Sequence, residues 1–199
     1  TLMNCNLFNC FFFFLGGAIN SNGNCHIDGC NLFNNTAVDG GAIYSSNLIS
    51  IFNSSVYNNH ANHGGGLLLY GTKDISNCTI ANNSARWGGG AIYNNGRMNL
   101  VNCTIAFNFT ELGAALVHTG VPIKKLKMDN CIVAYNIDST GTTMDFGNYG
   151  YIDTTSQNNL LSDSSGSTLS TGHGNLLNID PLIDSLRNNG GHTLTCNLQ

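Results

Sequence analysis

Charge is scarce in this chain. Of 199 residues, 7 are Lys or Arg and 11 are Asp or Glu, 9% in all, against roughly 25% in an average soluble domain. Glutamate occurs once, as Glu111, and proline twice. A coiled coil or helical bundle draws on Glu, Lys, Ala and Leu, so that class is excluded. A disordered chain combines low hydrophobicity with high net charge; here 42% is hydrophobic and the net charge is −4. Nucleic-acid binders carry a basic field, and a net negative chain argues against one. No apolar run approaches the about 18 residues of a membrane-spanning helix; Phe11 to Leu15 is far too short. CxxC pairs are absent, which leaves little support for a zinc or thioredoxin-type site. What the chain does have is 24 Gly and 32 Asn.

These residues are periodic. Cys5, Cys30, Ser54, Cys78, Cys103 and Cys131 are separated by steps of 25, 24, 24, 25 and 28. Two positions later stand Leu7, Leu32, Val56, Ile80, Ile105 and Val133; three positions earlier stand Leu2, Ile27, Ile51, Ile75, Leu100 and Met128. The residue before each small one is Asn4, Gly29, Asn53, Asn77, Asn102 or Asn130. Asn and Gly are the residues that tolerate left-handed backbone, so this column marks a bend. Cys10, Asn35, Asn59, Asn83, Asn108 and Asn136 form another column, expected at a second corner. A Gly block recurs in phase: Gly16 to Ile19, Gly40 to Ile43, Gly65 to Leu68, Gly89 to Ile92, Gly113 to Leu116 and, more weakly, Gly141 to Met144.

A unit of strand, Asn bend, strand, Asn corner, Gly-Gly turn and strand describes an all-β chain. It predicts a single-stranded parallel β-helix of about six coils of 24–28 residues. Successive coils would stack at about 4.8 Å. Leucine-rich repeats and propeller blades need patterns or lengths this chain does not have. The expected division is β-helix repeats over 1–147, irregular last coils over 148–180 and a C-terminal cap or anchor-type motif over 181–199. The Cys column reads as an inward ladder of free thiols packing as small hydrophobes, or as disulfides between neighbouring coils such as Cys5–Cys30 or Cys103–Cys131.

The run from Leu32 to Tyr44, LFNNTAVDGGAIY, resembles the repeat of chlamydial polymorphic outer membrane proteins, which alternates FxxN with GGA[ILV]. GGAI occurs three times, and the FxxN slot reads Leu32xxAsn35, Val56xxAsn59, Ile80xxAsn83, Ile105xxAsn108 and Val133xxAsn136. The segment from Asn175 to Leu182, followed by Leu186 to Thr195, resembles the end of the β-helix in choice-of-anchor Q domain proteins. These resemblances imply a right-handed, pectin-lyase-like solenoid, bacterial, secreted or displayed on the cell surface. The second also implies a piece of a longer protein.

Chemistry is thin. A glycosidase needs two carboxyls across one bond, and no adjacent acidic pair occurs. Asp28, Asp39, Asp74, Asp129, Asp138, Asp145 and Asp153 fall in different columns. Lys124, Lys125 and Lys127 cluster in the insertion after Val121-Pro122, near Asp129, and read as a solvated turn or an active-site loop. His60 and His63 read as exposed loop residues or metal ligands. No catalytic, cofactor or metal set emerges. The suggestive features are Trp87 and Tyr93, which flank one Gly block, with Tyr44 and Tyr70 at comparable places in neighbouring coils. They read as an aromatic ladder covering the coil or as sugar-contacting rings. The expected function is a structural, adhesive or glycan-binding surface protein whose partner is a glycan or host-cell ligand, without nucleic acid or a transmembrane segment. The alternative is a polysaccharide lyase or glycoside hydrolase, against which the scarcity of acid–base groups weighs.

Overall fold

The computed structural model describes residues 1–119, 123, 125–148 and 151–199. Val121, Pro122 and Lys124 of the basic insertion lie outside the described residues. The chain winds into a parallel β-solenoid of about six turns with three sheets. Sheet 1 contains Leu2–Met3, Cys25–Asp28, Ile49–Phe52, Leu67–Ser76, Ile92–Val101 and Leu126–Asp129. The two ten-residue strands also join it to the segments that follow the Gly blocks, Ile19–Ser21, Ile43–Ser45, Leu116–His118 and Phe146–Asn148. Sheet 2 runs from Asn6–Phe8 through Thr79–Ala81 to Ile132–Ala134, and sheet 3 from Phe11–Leu15 through His60–His63 to Ile137–Asp138. The helical element among the described residues is the 3-10 turn Gly172–Gly174, and no helix there is long and apolar enough to cross a membrane.

The sequence columns are structural registers. Leu7, Leu32, Val56, Ile80, Ile105 and Val133 pair in line along sheet 2. Leu2, Ile27, Ile51, Ile75, Leu100 and Met128 do so along sheet 1. From the second coil onward these residues are almost wholly buried, so truncating one to Ala costs about 2–5 kcal/mol. The bend column adopts left-handed backbone throughout, with φ from 48° at Asn53 to 64° at Gly29. It lets the aliphatic residue three places before the Cys and the Cys itself both point inward. All eight cysteines are free. Cys5 and Cys30 sulfurs lie 3.0 Å apart. Cys103 sits between Cys78 and Cys131, and its thiol, together with burial, holds both neighbours well above the ordinary thiol range.

The second Asn column has a different role from the corner expected of it. The left-handed residues there are one place earlier, at Asn9, Asn34, Asn58, Asn82, Phe107 and Tyr135. Asn35, Asn59, Asn83, Asn108 and Asn136 are buried and turned inward. From Asn59 on, each side-chain oxygen accepts from the backbone N–H and the amide of the preceding coil's Asn; that of Asn35 accepts from the Cys10 N–H. Asn59 donates to Asn83 at 2.9 Å, and Asn83 donates to Asn108 at 3.0 Å. The second amide proton goes to a carbonyl of the preceding coil, as in Asn83 to Val56 at 2.9 Å. Every side-chain donor and acceptor from Asn59 to Asn108 in this ladder is thus used, as a buried polar ladder requires.

The ladder ends on Asp145. This buried carboxylate accepts from the Asn136 amide at 2.7 Å, the Ser162 hydroxyl at 2.8 Å and the Asp163 N–H at 2.9 Å. Burial nonetheless pushes its pKa up.

Register corrects the Gly blocks in two coils. Leu67 pairs with Ile43 and Ile92, so the third block is Gly64 to Leu67, one residue earlier than expected. Leu116 pairs with Phe146, so the sixth is Thr143 to Phe146 rather than Gly141 to Met144. The first glycine of a block takes positive φ, +68° at Gly40 and +66° at Gly89. The second permits stacking: a Cβ on Gly41 would lie 2.0 Å from the Gly65 carbonyl.

Sheet 2 continues past the sixth coil through Leu160–Leu161 and Leu176–Leu177. Asn159 and Asn175 occupy the Cys column there, with Asn158 and Gly174 left-handed before them. Beyond, bridges Ile183↔Leu198 and Arg187↔Thr195 form an antiparallel hairpin. It lies along the outer face of sheet 2: the Leu194 N–H donates to Ser55 Oγ, and Asn31 donates to the His192 carbonyl.

Candidate functional site

The Gly-Gly turns leave a groove along the solenoid between the end of sheet 3 and the start of the next strand. On one wall stand Asp39, His63 and Trp87, on the other Tyr44, Leu68 and Tyr93. Asp39 and His63 are register partners one coil apart, and their side chains meet, Nδ1 to Oδ1 at 2.9 Å. The His63 ring lies 5.1 Å from Trp87 and 5.6 Å from Tyr93. Tyr44 and Tyr70 rings are 5.9 Å apart. Of the four aromatic residues singled out from the sequence, Tyr70, Trp87 and Tyr93 therefore share one groove with His63 and Asp39, which were not grouped with them, and Tyr44 stands beside Tyr70.

Two details differ from expectation. Tyr44 aligns with Leu68 and Tyr93, whereas Tyr70 aligns with Asn95, two residues further on. His60 and His63 lie on a strand of sheet 3, not in a corner loop. His60 Nδ1 is bonded to Ser84 Oγ at 2.9 Å.

The groove has two adjoining pockets that share His63 and Tyr93. One, of about 210 Å³, is floored by Ala114, Val117 and Met144. The other, of about 170 Å³, is bordered by Asp39, Leu68 and Tyr70. Trp87 is 48% exposed. Arg86 lies 5.4 Å over the same ring and pairs with Glu111 at 3.6 Å. Burial, then the neighbouring Tyr44, Tyr93 and Asp39, pushes the Tyr70 hydroxyl pKa up. Behind Tyr70 lies Lys73, fully buried in a column with Cys25, Ile49, Met98 and Leu126. Its ammonium donates to the carbonyls of Tyr70 and Asn47, fixing the backbone that carries the ring. Desolvation lowers its pKa to about 8.

A second cleft, of about 410 Å³, crosses the outer face of sheet 1 and takes in Asp74, Arg97, Asn99, Lys127 and Asp129. It adjoins a smaller pocket with Lys125 and Asp153. Asp74, Asn99 and Lys127 share one register column. The carboxylates are engaged: Asp74 by Asn99 at 2.8 Å, Asp129 by Lys127 at 3.1 Å, Asp153 by Lys125 at 3.6 Å. The Thr155 backbone N–H and hydroxyl, aided by Lys125, hold Asp153 below the usual carboxylate range. Arg97 has no ion-pair partner among the described residues. Scattered in sequence, these acids and bases converge in space.

No curated protein and no solved structure matches the chain. Two segments, residues 29–46 and 77–95, match the Chlamydia polymorphic membrane protein repeat. They cover the second and fourth bends, inward Asn residues and Gly blocks, with Tyr44 and with Trp87 and Tyr93. The chain is a β-solenoid repeat protein similar to that family in these two coils.

Proposed function

We propose that the chain is part of a right-handed, cell-surface β-solenoid that adheres to glycans through the aromatic groove. The single observation that carries the reading is the packing of Trp87 and Tyr93 on His63 of the Asp39–His63 pair, with Tyr70, backed by Tyr44, bordering the same pocket. Aromatic faces stack on the apolar faces of sugar rings, while a few fixed polar groups set orientation. Surface placement rests on the similarity of two coils to the polymorphic membrane protein repeat. The C-terminal resemblance to choice-of-anchor Q proteins agrees with it. A glycan array probed with the chain tests the reading. Binding to glycans that is lost in Trp87→Ala supports it, and silence across the array contradicts it.

A second reading, a polysaccharide lyase or glycoside hydrolase, draws on the charged cleft of sheet 1. Against it, Asp74, Asp129 and Asp153 are each tied to a neighbour. Reducing-sugar release or eliminative cleavage of an acidic polysaccharide, lost in Lys127→Ala, would establish this reading instead.

A further inference from the structure

The two pockets of the aromatic groove differ in chemistry, and that difference names a ligand class. Among the described residues lining the larger pocket, His63 alone is basic and none is acidic; the rest of its wall is Trp87, Tyr93 and small or apolar groups. Ala114 and Val117, on its floor, are buried, and Met144 is half-buried. Glycine keeps the floor open: a Cβ on Gly147 would stand 3.2 Å from both Ala114 Cβ and Val117 Cγ2. The smaller pocket offers hydroxyl and carboxylate groups, from Tyr70, Tyr93 and Asp39.

Charge narrows the choice. Asp39 opposes a uronate or sulfate beside it, and the nearby cation Arg86 is held by Glu111 and Trp87. In the tautomer whose Nδ1–H donates to Asp39, Nε2 is left as an acceptor. An apolar floor, an aromatic wall and an imidazole acceptor together suit a methyl group next to an N–H donor on a sugar ring.

We propose that the groove recognises a neutral 2-acetamido sugar, its acetyl methyl over Val117 and Met144, its amide N–H on His63 and its hydroxyls toward Asp39 and Tyr70. The proposal rests on the glycan-binding reading of the same groove and names its ligand.

Trp87 is the sole tryptophan, so its emission reports occupancy directly. The chain and its Val117→Tyr variant are titrated with the β-1,4-linked trisaccharides of N-acetylglucosamine and of glucose and with the α-1,4-linked trisaccharide of galacturonate. That variant fills the pocket with a side chain already used in the same column at Tyr44 and Tyr93, and circular dichroism verifies its fold. The acetylated trisaccharide is expected to shift Trp87 emission and to bind at least ten-fold tighter than the other two. Val117→Tyr is expected to erase that preference. Equal affinity for the glucose trisaccharide, tighter binding of the uronate, or an unchanged preference in Val117→Tyr would overturn the acetamido proposal while leaving glycan binding standing. Silence toward all three sugars and across the glycan array would overturn both.

Discussion

Two asparagine columns run the length of this solenoid, six residues apart within a coil. They do opposite work. In the outer one, Asn53, Asn77, Asn102 and Asn130 supply left-handed backbone, and their amides form an exposed chain, 3.1 Å between Asn77 and Asn53. In the inner one, Asn35 to Asn136 adopt no positive φ and are buried, with every amide group bonded between coils. The outer column is chosen for conformation, so Gly29 can replace Asn. The inner column is chosen for hydrogen bonding, and from the second coil to the sixth it is Asn throughout. Removing one partner of a buried hydrogen bond costs far more than a surface bond contributes.

Four substitutions would break or sharpen that contrast. The largest effect is expected for Asn83→Ala, which strands the Val56 carbonyl and the Asn59 amide inside the corner. Chemical denaturation should show a loss of about 3 kcal/mol or more. Lys73 is a buried ammonium bonded only to backbone carbonyls, where the inner ladder uses neutral amides. Its native pKa of about 8 lies below the ordinary 10.5, so between those values the unfolded chain binds more protons. Stability then rises with pH across that window, by about 2–3 kcal/mol. Comparing denaturation curves of the wild type and Lys73→Met at both ends of the window should show the rise only in the wild type.

Asp145→Asn tests the ladder's end. The carboxylate accepts from both sides, whereas one amide face would oppose the Asp163 N–H; a loss of about 2 kcal/mol is expected in denaturation at neutral pH. Because burial raises the pKa of Asp145 in the native state, the native chain keeps this proton longer than the unfolded one. This group's contribution therefore falls as pH climbs from the ordinary Asp value through the raised one. Asn77→Gly, at the outer column, should change the melting curve least, within about 0.5 kcal/mol, because the exposed amide chain is the main thing lost.

The period was readable because a solenoid converts a fixed step in sequence into a fixed register in space. Cys78 to Cys103 and Ile80 to Ile105 are neighbours by construction. Burial was not readable by the same rule: Asn82 and Asn83 are adjacent, and only one turns inward. Register also blurred where several aliphatics follow one another, as in Leu67-Leu68-Leu69. The last two strands of sheet 2 had a signal, Asn158-Asn159-x-Leu161 and Gly174-Asn175-x-Leu177, concealed by polar Asn in the Cys position and by a step of 16.

The groove was half legible. The aromatic residues stood out, but Asp39 and His63 become partners only when the 24-residue step is applied to polar positions too. The charged cleft was half legible in the same way: Lys125, Lys127 and Asp129 stood out together, but Asp74, Arg97 and Asn99 did not join them. Asp74, Asn99 and Lys127 look scattered until they are placed in one column.

The central functional claim is that recognition resides in the aromatic groove and not in the cleft of sheet 1. Isothermal titration of an array-identified glycan into the wild type, Trp87→Ala and the Arg97→Ala/Lys127→Ala double variant tests it most directly. The expected result is at least a ten-fold weakening in Trp87→Ala with affinity unchanged in the double variant. Undiminished affinity in Trp87→Ala, with loss in the double variant, would contradict it.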